Sequence, residues 1–124
     1  MSWHVDITDE AESELRRLPV DMYAHFLRIA ELLEELGPQE VRKPHVAPLE
    51  RKLWEIRMRG RDGIARAIYF AAHGQRLIVV RAFVKKTEKT PRREIEIAYA
   101  RMQGWHEHEK LQRLAERVPR KPRR

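Results

Sequence analysis

From residue 52 to residue 84 the chain reads KLWEIRMRGRDGIARAIYFAAHGQRLIVVRAFV, and no other stretch limits the fold as tightly. Trp54, Ile56 and Met58 alternate with Glu55, Arg57 and Arg59, the period of a strand with one packed face and one polar, largely cationic face. Asp62-Gly63 and His73-Gly74 tolerate the positive φ of tight reversals, so residues 52–59, 64–71 and 76–84 are predicted as three consecutive antiparallel strands. Lys85, Lys86 and Lys89 follow as a basic cluster. Thr90 then offers a helix cap and Pro91 suits a first helical position. Ile95, Ala98, Met102 and Trp105 step by three and four along one face of that helix, and Leu111, Leu114 and Val118 continue the period. Gly104 is a point where the helix can kink or divide.

Upstream, Trp3, Val5 and Ile7 alternate with His4 and Asp6, which predicts a short first strand. Thr8 or Asp9 can cap a helix, with Glu12 placed three residues after Asp9 to complete a capping box. Ala11, Leu15 and Leu18 form one apolar stripe before Pro19, and Met22, Phe26, Ile29, Leu33 and Leu36 form a second that stops at Gly37-Pro38. Two amphipathic helices joined by a short break predict a hairpin covering one sheet face. Residues 38–51 hold Pro38, Pro44 and Pro48 with few apolar anchors and read as an ordered or partly mobile connection, with Arg42, Lys43 and His45 as solvated loop charges and RNA contact as the alternative. The sum is an α+β domain: an N-terminal strand, a helical hairpin, an antiparallel twisted β-sheet of about four strands, and a C-terminal helix. A single domain is expected over residues 1–118, and residues 119–124, with four basic residues and two prolines, are expected to be a disordered basic tail.

Composition narrows the function. At 124 residues the chain is long enough for one modest core, and the absence of cysteine removes disulfides and thiol catalysis. Asp6, Asp9, Glu10, Glu12 and Glu14 interrupt any signal-like apolar run, and no later run is long enough to span a bilayer, so a soluble cytoplasmic protein without a membrane partner is expected. A formal net charge of +7 favours a polyanionic partner, because basic residues displace the counterions condensed on nucleic acid.

The run Leu-Trp-Glu-Ile-Arg at 53–57, the run Arg66-Ala-Ile-Tyr-Phe, and Phe-Val-Lys-Lys-Thr-Glu-Lys-Thr-Pro at 83–91 followed by Glu94 and Glu96 resemble the phage-derived branch of the RelE/HigB toxins. These are the toxin halves of bacterial type II toxin–antitoxin pairs. The resemblance implies a RelE-like arrangement in which the hairpin packs on one sheet face and the opposite basic side receives mRNA in the ribosomal decoding site. It implies a ribosome-dependent mRNA endonuclease that inhibits translation. It also implies a cognate antitoxin, expected to be a helix-turn-helix protein of the HigA kind, with operator DNA bound only through the toxin–antitoxin complex. The tyrosine that the better-known RelE pattern carries near its C-terminus has no unambiguous counterpart; Tyr99 is the nearest candidate. The histidine and acidic residues of other HigB-type toxins are not visible either.

Cleaving RNA requires the ribose 2′-hydroxyl deprotonated, the phosphorane charge stabilised and the departing 5′-oxygen protonated. The sequence offers no metal cage: His106 and His108, like Glu107 and Glu109, lie two apart and point different ways on a helix, so neither a metal nor another cofactor is expected. Cations must then carry the charge. Arg66 interrupts an apolar strand and is the leading candidate, and Arg57 corresponds to a basic position in the family's second strand, suited to the scissile phosphate. Crowded ammonium groups depress one another's pKa, which suits Lys85 or Lys86 as general base or acid, the choice staying open. Lys89, Arg81, Arg59, Tyr69 and Lys52 are candidates for RNA binding. For Arg81 an ion pair with Glu55 is the alternative, and for Tyr69 and Trp54 a place in the core. Two other functions fit the same sequence: a non-catalytic ParE-like toxin that binds DNA gyrase, and an inactive remnant that binds RNA weakly.

Overall fold

The computed structural model describes residues 2–117; Val118 and the expected tail at 119–124 lie outside the described residues. Strand β1 (His4–Ile7) leads into helix α1 (Asp9–Arg16). The Thr8 hydroxyl accepts the Ala11 N–H at 3.2 Å, so Thr8 is the cap and Glu12 falls one position beyond where a capping box needs it. Pro19, with φ −52°, sets the entry to α2 (Val20–Leu36) without a side-chain cap. Helix α2 ends at Gly37, whose φ of 85° and whose closeness to Trp3 both exclude a side chain: a Cβ there would stand 3.0 Å from Trp3 Nε1.

The meander follows as β3 (Trp54–Gly60), β4 (Gly63–Ala72) and β5 (Arg76–Lys85), paired antiparallel as expected. The sheet nevertheless has five strands, in the order β1-β5-β4-β3-β2. The additional strand, β2 (Val46–Pro48), lies in the connection expected to be irregular and pairs antiparallel with β3, while Val41, Val46 and Ala47 are buried. The sheet is also mixed, because β1 runs parallel to β5, with Val5 opposite Leu77 and Ile7 opposite Val79. No tight turn joins β1 to its neighbour, so packing rather than local geometry sets its direction.

Each face of the sheet has its own core. Phe26, Ile29 and Leu33 of the hairpin pack on Ile56, Met58, Ala65, Ala67, Tyr69, Leu77, Val79 and Ala82. On the other face Ile95, Ala98 and Met102 pack on Ile68, Phe70, Ile78, Val80 and Phe83. These three come from helix α3 (Arg92–Arg117), which runs through Gly104 without a break. Burying a large aliphatic or aromatic side chain is worth about 1.5–3 kcal/mol, so both layers contribute substantially.

A register shift in β5 decides where its last side chains go. Ile68 pairs with Arg81 but Tyr69 pairs with Val79, so Val80 is an extra residue on the β5 side. Before the bulge, odd-numbered Leu77 and Val79 face the hairpin; after it, even-numbered Ala82 does, and Phe83 faces α3. The shift therefore turns Lys85 onto the face that carries Arg66.

Candidate functional site

Helix α3 covers only part of its sheet face. Beyond its first turn, the polar side of β3 and the ends of β4 and β5 form a cleft of about 400 Å³ lined by Pro44, Arg57, Arg59, Ile64, Arg66, Lys85 and Glu88. Arg57 and Arg66 are cross-strand partners, and Lys85 is opposite Ile64, two residues from Arg66 on the same side of β4. Strand alternation, register and the β5 bulge thus gather three of the four expected catalytic residues, with Arg59 beside them.

Arg66 is only 7% exposed and sits in β4, where every residue from Ala65 to Phe70 is buried. Burial pushes its pKa below the usual arginine value, with Glu55 opposing the shift. Glu55, itself 3% exposed, lies against both arginines: its Oε2 accepts from Arg57 Nε at 3.0 Å and stands 3.3 Å from Arg66 Nε. The second contact is ionic, since the Arg66 Nε–H is not aligned on the oxygen and remains a buried donor without an acceptor. The other carboxylate oxygen accepts the Thr90 hydroxyl, so Thr90 is bound to the strand. Lys85 donates from Nζ to the Glu88 carbonyl, and its pKa is lowered by burial first and by Arg66 second.

Charge decides what this cleft can hold. Arg57, Arg59, Arg66 and Lys85 face it, against the carboxylates of Glu88 at the wall and Glu55 behind. A site with this excess of positive charge, and with Arg66 and Lys85 buried in it, favours an anion such as a phosphodiester. Among the described residues no three His, Asp or Glu side chains gather as a metal cage.

The remaining expected residues lie elsewhere. Lys86 and Lys89 are exposed in the segment after β5 and do not line the cleft. Lys52 is in the exposed turn before β3, with φ 68°, and is also outside it. Two expectations are corrected by packing. Tyr69 is 1% exposed within the hairpin-side core, so its ring cannot stack on a base, and burial disfavours ionisation of its phenol. Arg81 is engaged within the fold, and not with Glu55: it bridges Glu14 at 2.5 Å and Glu94 at 2.6 Å, joining α1 to α3 around the bulge. Tyr99 is likewise engaged away from the cleft, with Arg51 over its ring at 4.4 Å and its hydroxyl accepting from Gln103 at 2.7 Å.

The places of Glu55, Thr90 and Glu88 around the cleft were not expected from the sequence. The signal for Glu55 was present, because an arginine buried in β4 needs a counter-charge on the same face of β3, and of residues 55, 57 and 59 only Glu55 is acidic. Thr90, expected to cap the helix, lies two residues before α3 begins at Arg92, and its hydroxyl donates to Glu55.

Comparison with known families settles the lineage: the family model described as phage derived protein Gp49-like matches residues 13–103. The chain belongs to the Gp49-like family. No curated protein matches it significantly. Among solved structures, this Gp49-like chain is similar to the toxin–antitoxin complex RelBE2 of Mycobacterium tuberculosis, at 20% identity and TM-score 0.52, over 68% of this chain and 100% of that one. It is similar to the archaeal RelE–RelB complex of Pyrococcus horikoshii OT3, at 26% identity and TM-score 0.51, over 68% and 96% of the two chains. A free double arginine mutant of the E. coli toxin RelE matches at 14% identity and TM-score 0.54, over 82% and 94%. Family and fold together bear out the resemblance to RelE-type toxins.

Proposed function

We propose that this Gp49-like chain is the toxin of a type II toxin–antitoxin pair and that it cleaves mRNA on the ribosome without a metal. The observation that carries this reading is the juxtaposition of Arg57, Arg66 and the partly desolvated Lys85 in one cationic cleft. A neutral Lys85 takes the proton of a ribose 2′-hydroxyl, and the 2′-oxygen attacks the adjacent phosphorus. Arg57 and Arg66 stabilise the charge of the phosphorane. The bond to the 5′-oxygen breaks, leaving a 2′,3′-cyclic phosphate, and the departing oxygen gains a proton from a cleft cation or water. Lys85 is favoured over Lys86 as the base because it lines the cleft and its pKa is lowered.

The partner that neutralises such a toxin is a cognate antitoxin, in this reading a helix-turn-helix protein of the HigA kind, and the pair contacts operator DNA through the antitoxin. The solved complexes to which the chain is similar are toxin–antitoxin pairs, which supports an antitoxin partner. Among the described residues no helix is long and apolar enough to cross a membrane.

Regulated expression in growing cells tests the proposal. Wild-type chain arrests growth, co-expression of its cognate antitoxin restores growth, and Arg66→Ala abolishes toxicity while remaining folded. Undiminished toxicity in a well-folded Arg66→Ala protein would remove Arg66 from the site, and growth arrest with gyrase inhibition would favour the ParE-like function.

A further inference from the structure

We propose that Glu55 is the positioning residue of the cleft, orienting the guanidinium forks of Arg57 and Arg66 and anchoring the segment 86–90 from behind the site. This rests on the nuclease reading and assigns the device that would organise it.

The carboxylate does not itself line the cleft, and both of its oxygens are engaged. It therefore has neither the access nor a free oxygen to touch substrate. Its position explains what two adjacent arginines otherwise leave unexplained. Arg57 and Arg66 are cross-strand neighbours, and like charges placed so closely repel. A carboxylate against the Nε side of each offsets that repulsion and leaves the terminal nitrogens of Arg57 and Nη2 of Arg66 for an anion in the cleft, while Arg66 Nη1 donates to the Ala65 carbonyl at 3.4 Å. The misaligned Arg66 Nε–H is the group a bound phosphate can draw into line, since catalytic hydrogen bonds are often long before substrate arrives. Through its other oxygen Glu55 holds Thr90, while Lys85 holds the Glu88 carbonyl. These two contacts hold Glu88, which lines the cleft, and Thr90 at the end of the segment.

The test compares wild type with Glu55→Gln, which keeps the shape and one acceptor but removes the charge, and with Thr90→Val, which cuts only the contact to Thr90. Cleavage of a translated mRNA on purified ribosomes is measured under single-turnover conditions across ribosome concentration, alongside thermal unfolding. Side-chain Nε–H NMR signals of Arg57 and Arg66 are followed while inorganic phosphate is added. We expect Glu55→Gln to unfold cooperatively, to bind ribosomes with little change, and to cleave roughly 10- to 100-fold more slowly at saturation, since a misplacement near 1 Å can cost about a hundredfold. The Arg57 Nε–H signal, protected in wild type, exchanges rapidly in the variant, and phosphate no longer shifts either arginine. Thr90→Val shows a smaller loss with the arginine signals kept, and it carries the test if Glu55→Gln does not fold. Saturated cleavage equal to wild type in Glu55→Gln, or a loss with unchanged arginine signals, overturns the positioning role. If wild type does not cleave translated mRNA but Glu55→Gln still abolishes the phosphate response, the nuclease reading fails and the orienting role stands.

Discussion

Arg57 on β3 and Arg66 on β4 stand directly opposite each other in the sheet, with a single Glu55 carboxylate against both. Two guanidinium groups in this position form a fork pair suited to the non-bridging oxygens of one phosphate. Removing one fork from such a site costs about 10²- to 10³-fold in rate. Arg66→Ala and Arg57→Ala are each expected to lose cleavage by that order. Arg66→Lys, which keeps the charge but not the planar fork, is expected to recover only part of the activity in the same ribosome assay.

The pH dependence follows from Lys85. Burial and the neighbouring Arg66 lower its pKa from the ordinary 10.5, so in the fold the neutral amine appears at lower pH than in a free lysine. The cleavage rate should rise with pH and level off with a midpoint below 10.5. Stability has the same sign: between the folded and unfolded pKa values the unfolded chain holds more protons, so stability from this group is gained as pH rises through that window and absent below it. Lys85→Met should be inactive and lose this pH-linked increment of stability, measured by thermal unfolding from pH 7 to 10. A pH–rate profile still midpointed at or above the ordinary lysine value would remove Lys85 as the base.

Glu14 of α1 is the anchor of the β5 bulge. It accepts from Arg81 at 2.5 Å, Arg101 at 3.0 Å and the Ala82 N–H at 3.1 Å. Deleting it leaves Arg81 with Glu94 alone, Arg101 with the Val80 carbonyl as its remaining hydrogen-bond acceptor, and the Ala82 N–H without its acceptor. Glu14→Ala should therefore destabilise the protein by about 2–3 kcal/mol, less than the roughly 3–5 kcal/mol of a fully buried pair because solvent reaches this one. Denaturant unfolding measures it. Loss of the bulge would also return Lys85 to the opposite face, so activity is expected to fall together with stability.

Gly60, at the end of β3, marks where the meander touches the hairpin. A Cβ there would stand 2.6 Å from Asp21 Oδ1 and 2.7 Å from Met22 Cγ, and Asp21 also accepts the Arg61 N–H at 2.6 Å. Gly60→Ala should cost about 1–3 kcal/mol by overpacking. Thermal unfolding of the purified variant reads this directly, and unchanged stability would mean that the α2 N-terminus yields easily.

Much of the architecture was legible in local pattern. The alternation at Trp54–Met58, the Gly-bearing turns and the three-and-four spacing of Met22–Leu33 and Ile95–Met102 match the elements formed. Strand β2 was not legible, since its three residues, Val46–Pro48, are too few to show a period. Nor was the parallel edge, because strand direction is fixed by contacts between β1 and β5, far apart in sequence. The site was legible in residue type but not in orientation. Arg66 was named from its place in an apolar strand, Arg57 from the family resemblance and Lys85 as one of an open pair with Lys86, and the bulge that places Lys85 beside Arg66 leaves no mark in an apolar run such as Leu77–Val80. Arg81 and Tyr69 show the reverse failure: suitable chemistry held by Glu14 and Glu94 or closed inside the core.

Whether this chain cuts RNA that is being translated is measured by brief induction in cells, followed by mapping new 5′ ends on translated and untranslated copies of one transcript. A ribosome-dependent nuclease gives new ends confined to the translated copy and lost in Arg66→Ala; growth arrest with no new ends on either copy would contradict that activity.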